Sequence, residues 1–416
     1  MRKLYKKNWS IPAIAGLGLY LALAGGGGNP IDCDVADCVF DWRKSVVTLL
    51  LFVISIRLYR YSPKYMPKVI LLATAYFLIP VFSLIFTDNS YFLLSKIYGG
   101  YVGTLFGLYC VVTLMHAGGD TLLAKAYSQV LVVVLLLTVL YRLPYGLFDR
   151  SVYLFNGPIV FGWLMATGVL CSTYLFIMQR KLASIAFIAL FVVGTLLSFS
   201  RGPIVALIAS LPFLFFVKVG MSRVRLLVTF AAAAVGVAVF VVVFNDEVQS
   251  SRLSTLSLML MSGSDLEIGE FFGARSILYE IGYDASIDNL LFGIGGANFP
   301  SYARGFGYPH NVHFEVLIEY GVFAAIAHVT LLGVALKKAT PLTRVLIIFG
   351  IVTVFFSGDL AYIRYVLVFA LASFFRFPTA REGGGLSEFG GNLPAAARKS
   401  SARRKSNHVR KPSLGT

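Results

Sequence analysis

The sequence predicts an all-α polytopic membrane protein with about twelve transmembrane helices and one long extracytoplasmic loop containing short helices. Three observations predict it. Hydrophobic residues make up 57% of the chain and charged residues only 13%, with mean hydropathy +0.78; a water-soluble chain of this length needs a more polar surface. Apolar runs of about 17–25 residues, the length that crosses a bilayer as helix, follow one another along the chain. Lys and Arg fall in alternate connections between those runs.

The runs place spans near 10–27, 45–58, 69–87, 98–115, 121–141, 157–178, 182–199, 202–218, 224–244, 312–336, 343–358 and 360–376. Arg2, Lys3, Lys6 and Lys7 precede the first span, which reads as an uncleaved signal anchor. Every second connection is then basic: Arg57 to Lys68, Lys125, Arg180 and Lys181, Lys218 to Arg225, and Lys337 to Arg344. With the basic tail these account for 26 of the 36 Lys and Arg. Both termini are therefore expected on the cytoplasmic side of the membrane. The chain divides into spans one to nine (1–244), an extracytoplasmic loop (245–311), the last three spans (312–376) and a disordered basic tail (377–416). The net charge of +16 is thus accounted for by membrane topology and headgroup attraction, not by nucleic acid.

Cys110 and Cys171 fall within spans and read as core residues. Cys33 and Cys38 lie in the first outward connection, where an oxidising compartment allows a disulfide. The long loop carries an amphipathic helix at about 274–286, the Gly-rich GIGGANF, and YARGFGYPHN. GIGGANF lacks the preceding strand and the Lys of a phosphate-cradling loop, so a tight turn is expected there and no nucleotide.

The remaining basic residues are the informative ones. Arg43, Lys44, Lys96, Arg142, Arg150, Arg201, Arg252, Arg275 and Arg304 sit in or beside outward segments, and Arg364 in the last span. Seven of those nine outward residues are Arg, whose planar fork suits bidentate contact with phosphate. Arg201 lies in SFSRGP, a tight reversal whose Pro203 suits the first turn of the next helix. Guanidinium plus a helix N-terminus makes a phosphate receptor; a lone interfacial Arg reaching to headgroups is the plainer alternative. Arg275 opens the amphipathic helix. His310 and His313, one turn apart, are expected to share a face; a capping role for His310 and a two-His metal pair are the alternatives. Glu319 is expected roughly 13 Å further along the same span, with Arg364 as candidate partner for it or for Asp359.

Two guanidiniums and an imidazole outside the membrane suit one task. The guanidiniums bind a lipid diphosphate and stabilise it as it leaves, while a neutral imidazole takes the proton of an attacking hydroxyl. LSFSRGPIVAL, GARSILYEIGYDASIDNLLFGIGGANF and PHNVHFEVLIEYGVFA carry a likeness to a known family. Together they resemble the O-antigen ligase/O-antigen polymerase superfamily, membrane-embedded C-type glycosyltransferases that use undecaprenyl-diphosphate-linked glycans. His310 and Asn311, nine residues and Gly321 follow the ligase pattern; Ala324 stands where that pattern has Gly, Thr or Tyr.

The resemblance implies that Arg201 and Arg275 bind the diphosphate and that His310 acts as base or orients the acceptor. It implies inverting transfer without metal or other cofactor. Arg142, Arg150, Lys96, Arg304, Asn311 and His313 are candidate substrate contacts. The expected partners are the undecaprenyl-diphosphate-linked glycan donor, a lipid A–core or glycan acceptor, and membrane lipids. Ligase and polymerase both remain open. A transporter of similar span count is the reading from another class, but no half-to-half similarity is visible, and the unusual residues gather at one face.

Overall fold

The computed structural model describes residues 10–25, 31–33, 38–40, 42–146, 157–215, 275–303 and 308–377, with residues 31–33, 38–40, 42–44, 215, 275 and 276 described by backbone alone. The expected span at 224–244, the loop up to 274, Arg150, Arg304 and the basic tail lie outside the described residues.

Helices dominate what is described: α1 (Ser10–Ala24), α2 (Trp42–Tyr59), α3 (Met66–Ser83), α4 (Ser90–Arg142), α5 (Pro158–Gln179), α6 (Ala183–Leu196), α7 (Arg201–Phe215), α8 (Arg275–Asp288), α9 (Phe299–Tyr302), α10 (Val312–Lys338), α11 (Pro341–Phe356) and α12 (Arg364–Ala372). A two-stranded ribbon, β1 (Ile31–Cys33) and β2 (Cys38–Phe40), precedes α2. Its antiparallel register sets the backbones of Cys33 and Cys38 opposite each other, as the expected bridge requires.

Four helical stretches among the described residues are long and apolar enough to cross a membrane: Pro63–Ser83, Ser90–Arg142, Pro158–Gln179 and Val312–Lys338. Six shorter apolar helices accompany them. Large side chains such as Leu71, Phe82, Phe323 and Val329 are exposed around the outside. In water that surface would be a liability; against lipid tails it costs nothing. The chain is a helical membrane protein.

Two of the long helices do not run straight. α4 breaks at Gly119 (φ 68°, ψ −162°), between the spans expected at 98–115 and 121–141. Its two arms fold back along α1: Gly16 packs against Ala126 of one arm, and Gly18 against Cys110 of the other. Small residues allow this close approach. On the first arm Gly103 and Gly107, four residues apart, form a groove that receives Ala22, Arg364 and Val368.

The second break corrects an expectation. The stretch 312–336 reads as one span, yet α10 breaks at Gly321 (φ 76°, ψ −178°). His313 Nδ1 lies 2.9 Å from His328 Nε2, whereas fifteen residues of straight helix span about 22 Å. The first arm, 312–320, is therefore re-entrant and lies beside the second arm, 322–338.

Breaking a helix inside a membrane frees backbone groups that lipid cannot satisfy. The Gly-rich turn supplies the partners. Ile294 N–H donates to Ile318 O (2.9 Å), Gly295 N–H to Glu319 O (3.1 Å), and Val322 N–H to Leu290 O (2.8 Å). This docking leaves no room for side chains. A Cβ on Gly293 would lie 2.5 Å from the Glu319 carbonyl carbon, and one on Gly321 would collide with Leu291 O.

The bundle has two distinct ends. At one, Lys68 Nζ donates to Phe374 O (2.7 Å), Lys338 lies over the Phe374 ring, and Tyr65 meets both His116 and Phe375. Asp120 there accepts from Thr340 Oγ1 (2.6 Å) and from Leu342 N–H (3.0 Å), capping α11 from a distance. Lys64, Lys68 and Lys338 lie at this end. The other end collects the turn after α3, the Gly-rich turn and the apex of α10 at Gly321.

The docking at Gly321 yields a stability prediction. Gly321→Ala and Gly293→Ala each put a Cβ on a positive-φ residue and into backbone, which costs about 3 kcal/mol or more. Both should lower the thermal unfolding midpoint of the detergent-purified protein by several degrees. Gly333→Ala, in the same helix with no atom within 4 Å of the added carbon, should leave the midpoint unchanged or raise it slightly.

Candidate active site

The site begins with the α6–α7 reversal. α6 ends at Leu196; Phe199 takes a left-handed backbone (φ 48°) and α7 starts at Arg201. Ser198 Oγ donates to Thr195 O (2.6 Å) and accepts from Ser200 N–H (3.3 Å), which closes the turn. Ser198 and Pro203 press against Gly162 of α5. The buried Arg142 lends Nη1 to Leu197 O (3.4 Å), so its guanidinium braces this turn from below. Gly202 faces Phe356, so Arg201 enters its helix beside the α11–α12 junction.

The α10 entry approaches the same junction. His310 has a left-handed backbone (φ 58°), a conformation that His adopts more readily than most residues. Asn311 is the N-cap: its Oδ1 accepts from the N–H groups of His313 and Phe314, both at 3.1 Å. This corrects the expectation for the two histidines. His310 precedes the cap and is outside the helix, so it shares no face with His313. Its ring lies edge-on to Tyr308, centroids 4.4 Å apart. Tyr308 is itself within electrostatic reach of Asp359 and Tyr362, and burial, then Asp359, push its hydroxyl well above the ordinary phenol range. It therefore stays protonated.

α8 brings Arg275 to the same level. Tyr279 packs edge-on against Phe314, and Gly282 against Phe314 and Ile318. Leu278, Ala285, Phe299, Ala303 and Ile318 close a small core of their own. α8 thus runs parallel to the re-entrant arm. Arg275 starts α8 about one turn before Tyr279, and Phe314 lies in the first turn of the arm that Tyr279 packs against.

The helix starts explain the electrostatics. Arg201 and Arg275 are each the first residue of a helix, where the backbone already presents positive charge. A cation there is disfavoured by about 0.3–1 kcal/mol unless an anion sits between. The re-entrant arm presents a third N-terminus. Half-helix N-termini aimed inward from a membrane face are a recognised way to hold an anionic substrate group.

Two of the expected site residues, Lys96 and His313, hydrogen-bond within the protein, as does Arg364. Lys96, from the first arm of α4, is 2% exposed, and its Nζ donates to Glu315 Oε1 (2.5 Å) and Glu319 Oε1 (3.4 Å). It is the partner that Glu319 was expected to find in Arg364. Arg364 instead donates Nε to Leu23 O (3.1 Å) and Nη1 to Ala361 O (2.5 Å), and Asp359 caps the short turn at Ala361 N–H (3.0 Å). His313 uses both ring nitrogens. Nε2–H donates to Ile351 O (3.1 Å), so Nδ1 accepts from His328 Nε2–H, and His328 Nδ1 in turn accepts from Tyr76 OH (3.0 Å). That chain ties the re-entrant arm to the second arm, α3 and α11.

Sequence reasoning missed Asn298 as well. Its side chain accepts from Thr87 Oγ1 (3.1 Å) and Asp88 N–H (3.0 Å) and donates to Ile294 O (2.9 Å), pinning the Gly-rich turn to the entry of α4. An Asn two residues after a glycine pair was the available signal.

Residues 185–329 match the family model described as O-antigen ligase. No curated protein matches the chain. The matched segment runs from α6 into the second arm of α10 and contains Arg201, Arg275, His310 and Asn311. Over this segment the chain is similar to the O-antigen ligase family.

Proposed function

We propose that the protein is an O-antigen ligase. In this reading it transfers a glycan from undecaprenyl diphosphate to a hydroxyl of the lipid A–core oligosaccharide, by metal-independent inversion, on the periplasmic face of the inner membrane. What supports it is that Gly202, next to Arg201, faces Phe356 at the end of α11, that Tyr308, against the His310 ring, is within electrostatic reach of Asp359 and Tyr362 just beyond, and that Arg201 and His310 both fall in the segment that matches the family.

The chemistry then follows. The acceptor oxygen attacks the anomeric carbon while His310 takes the hydroxyl proton. The bond from that carbon to the diphosphate oxygen breaks, and its electron pair leaves with the diphosphate. Arg201 and Arg275, with the N-termini of α7 and α8, neutralise the charge that develops on the leaving group. Asn311 holds the re-entrant arm so that the imidazole is presented from a fixed turn. A cavity of about 250 Å³ between α3 and α10, lined by Tyr76, Tyr320, Leu331 and Leu371, offers apolar wall for part of the polyprenyl chain. A polymerase using the same donor is the second reading, favoured by Ala324 at the last position of the ligase pattern.

Purified protein, lipid-linked glycan and lipid A–core acceptor should give product in the presence of a chelator. His310→Ala should lower the rate by about 10²–10⁴-fold, and Arg201→Ala or Arg275→Ala by about 10²–10³-fold. Full transfer by these variants would reject the assigned roles. In cells, loss of all polymer on lipid A–core after deletion supports the ligase, and attachment of single repeats supports the polymerase.

Asn311→Ala removes a cap worth about 1 kcal/mol. Amide exchange should quicken at 312–316 and turnover should fall, while Asn311→Asp, which keeps the accepting oxygen, should retain most of both.

A further inference from the structure

We propose that Lys96 is a positioning residue for His310: its ammonium clamps the re-entrant arm of α10 through Glu315 and Glu319 and so sets the height and tilt of the turn that presents the imidazole. This rests on the reading of His310 as the base.

Glu315 and Glu319 are four residues apart and share one face of a two-turn arm. Neither carboxylate has access to solvent, and Lys96 is equally enclosed. An arm of nine residues is too short to hold its own orientation by helix formation. Its far end is fixed by docking to the Gly-rich turn and its middle by the His313–His328 chain. Glu315, one turn from Asn311, is the contact nearest the cap on the side of α4. α4 is itself tied to the Gly-rich turn through Asn298 and Thr87. Lys96 therefore joins two rigid pieces at the point where the arm meets the reacting turn. One ammonium against two carboxylates leaves no capacity for a diphosphate, so binding donor directly is a poor use of this side chain.

The test separates positioning from contact. Lys96→Met, Glu315→Gln and the neutral triple variant Lys96→Met/Glu315→Gln/Glu319→Gln are compared with the parent in the transfer assay. Loss of the clamp should lower kcat about ten- to a hundredfold in Lys96→Met, the penalty of a misplaced reacting group. Donor KM should change less than about threefold. The triple variant, which removes the stranded buried carboxylates together with the lysine, should recover most of that loss. A raised donor KM in Lys96→Met with no recovery in the triple variant would overturn the proposal in favour of substrate contact.

Amide exchange at 308–316, read without substrate, provides an arm that does not depend on the reaction. It should quicken in Lys96→Met and return towards the parent in the triple variant. Unchanged exchange overturns the clamp even where transfer is lost, and quickened exchange in a protein whose parent shows no transfer overturns the ligase reading alone. Should Lys96→Met fail to fold, Lys96→Arg serves. It should keep the parent's exchange, and exchange raised as in an unclamped arm overturns the proposal.

Discussion

The structure depends on a broken helix whose backbone is repaired from elsewhere in the chain. In a membrane, carbonyls released at a helix break have no water to turn to. α10 can fold back at Gly321 only because Ile294 and Gly295 bring N–H groups to Ile318 and Glu319, and Leu290 a carbonyl to Val322. The repair fixes more than the break. It sets α8 parallel to the re-entrant arm and brings the Gly-rich turn against Ser83 and the entry of α4. The long loop is thereby bound to the bundle through its backbone, and its chemistry is held by scaffold.

That arrangement makes sense of charges that look misplaced. Arg201 and Arg275 head helices whose own dipoles oppose them. Lys96, by contrast, is fully committed to two glutamates, and Arg142 and Arg364 donate to main-chain carbonyls. The basic residues at this end thus divide by purpose. Some brace turns and arms. Arg201 and Arg275 each open a helix, a position that favours a neighbouring anion. A transporter would need its charges near the midplane between two related halves; this end has them around one inserted hairpin.

Much of the bundle was legible because apolar runs and glycine pairs are local signals. The split of α4 at Gly119, the start of α7 at Arg201 and the start of α8 at Arg275 all follow from residues within a few positions. The break at Gly321 was not legible. The apolar pattern runs through it without interruption, and what permits it lies some thirty residues earlier in the Gly-rich turn. The same distance hid the Lys96 pairing, since 219 residues separate Lys96 from Glu315. Arg364 was the nearer candidate in sequence and the wrong one in space. His313 was legible as a residue near the site, but its bond to His328 exists only once the arm folds back.

These misses share a cause that bears on how the site works. The motif of His, Asn, nine residues and Gly looks like a string of contacts, yet each part has a separate mechanical task. His310 takes the left-handed turn, Asn311 caps the arm, the nine residues form the arm, and Gly321 reverses it. The spacing is then a length: nine residues of helix at 1.5 Å each carry the turn about 13 Å inward from the docked apex. One residue more or fewer would rotate Glu315 away from Lys96 by about 100°. The sequence distance between His310 and Gly321 is therefore constrained by the ion pair as much as by the chemistry, and depth and orientation of the imidazole cannot vary independently.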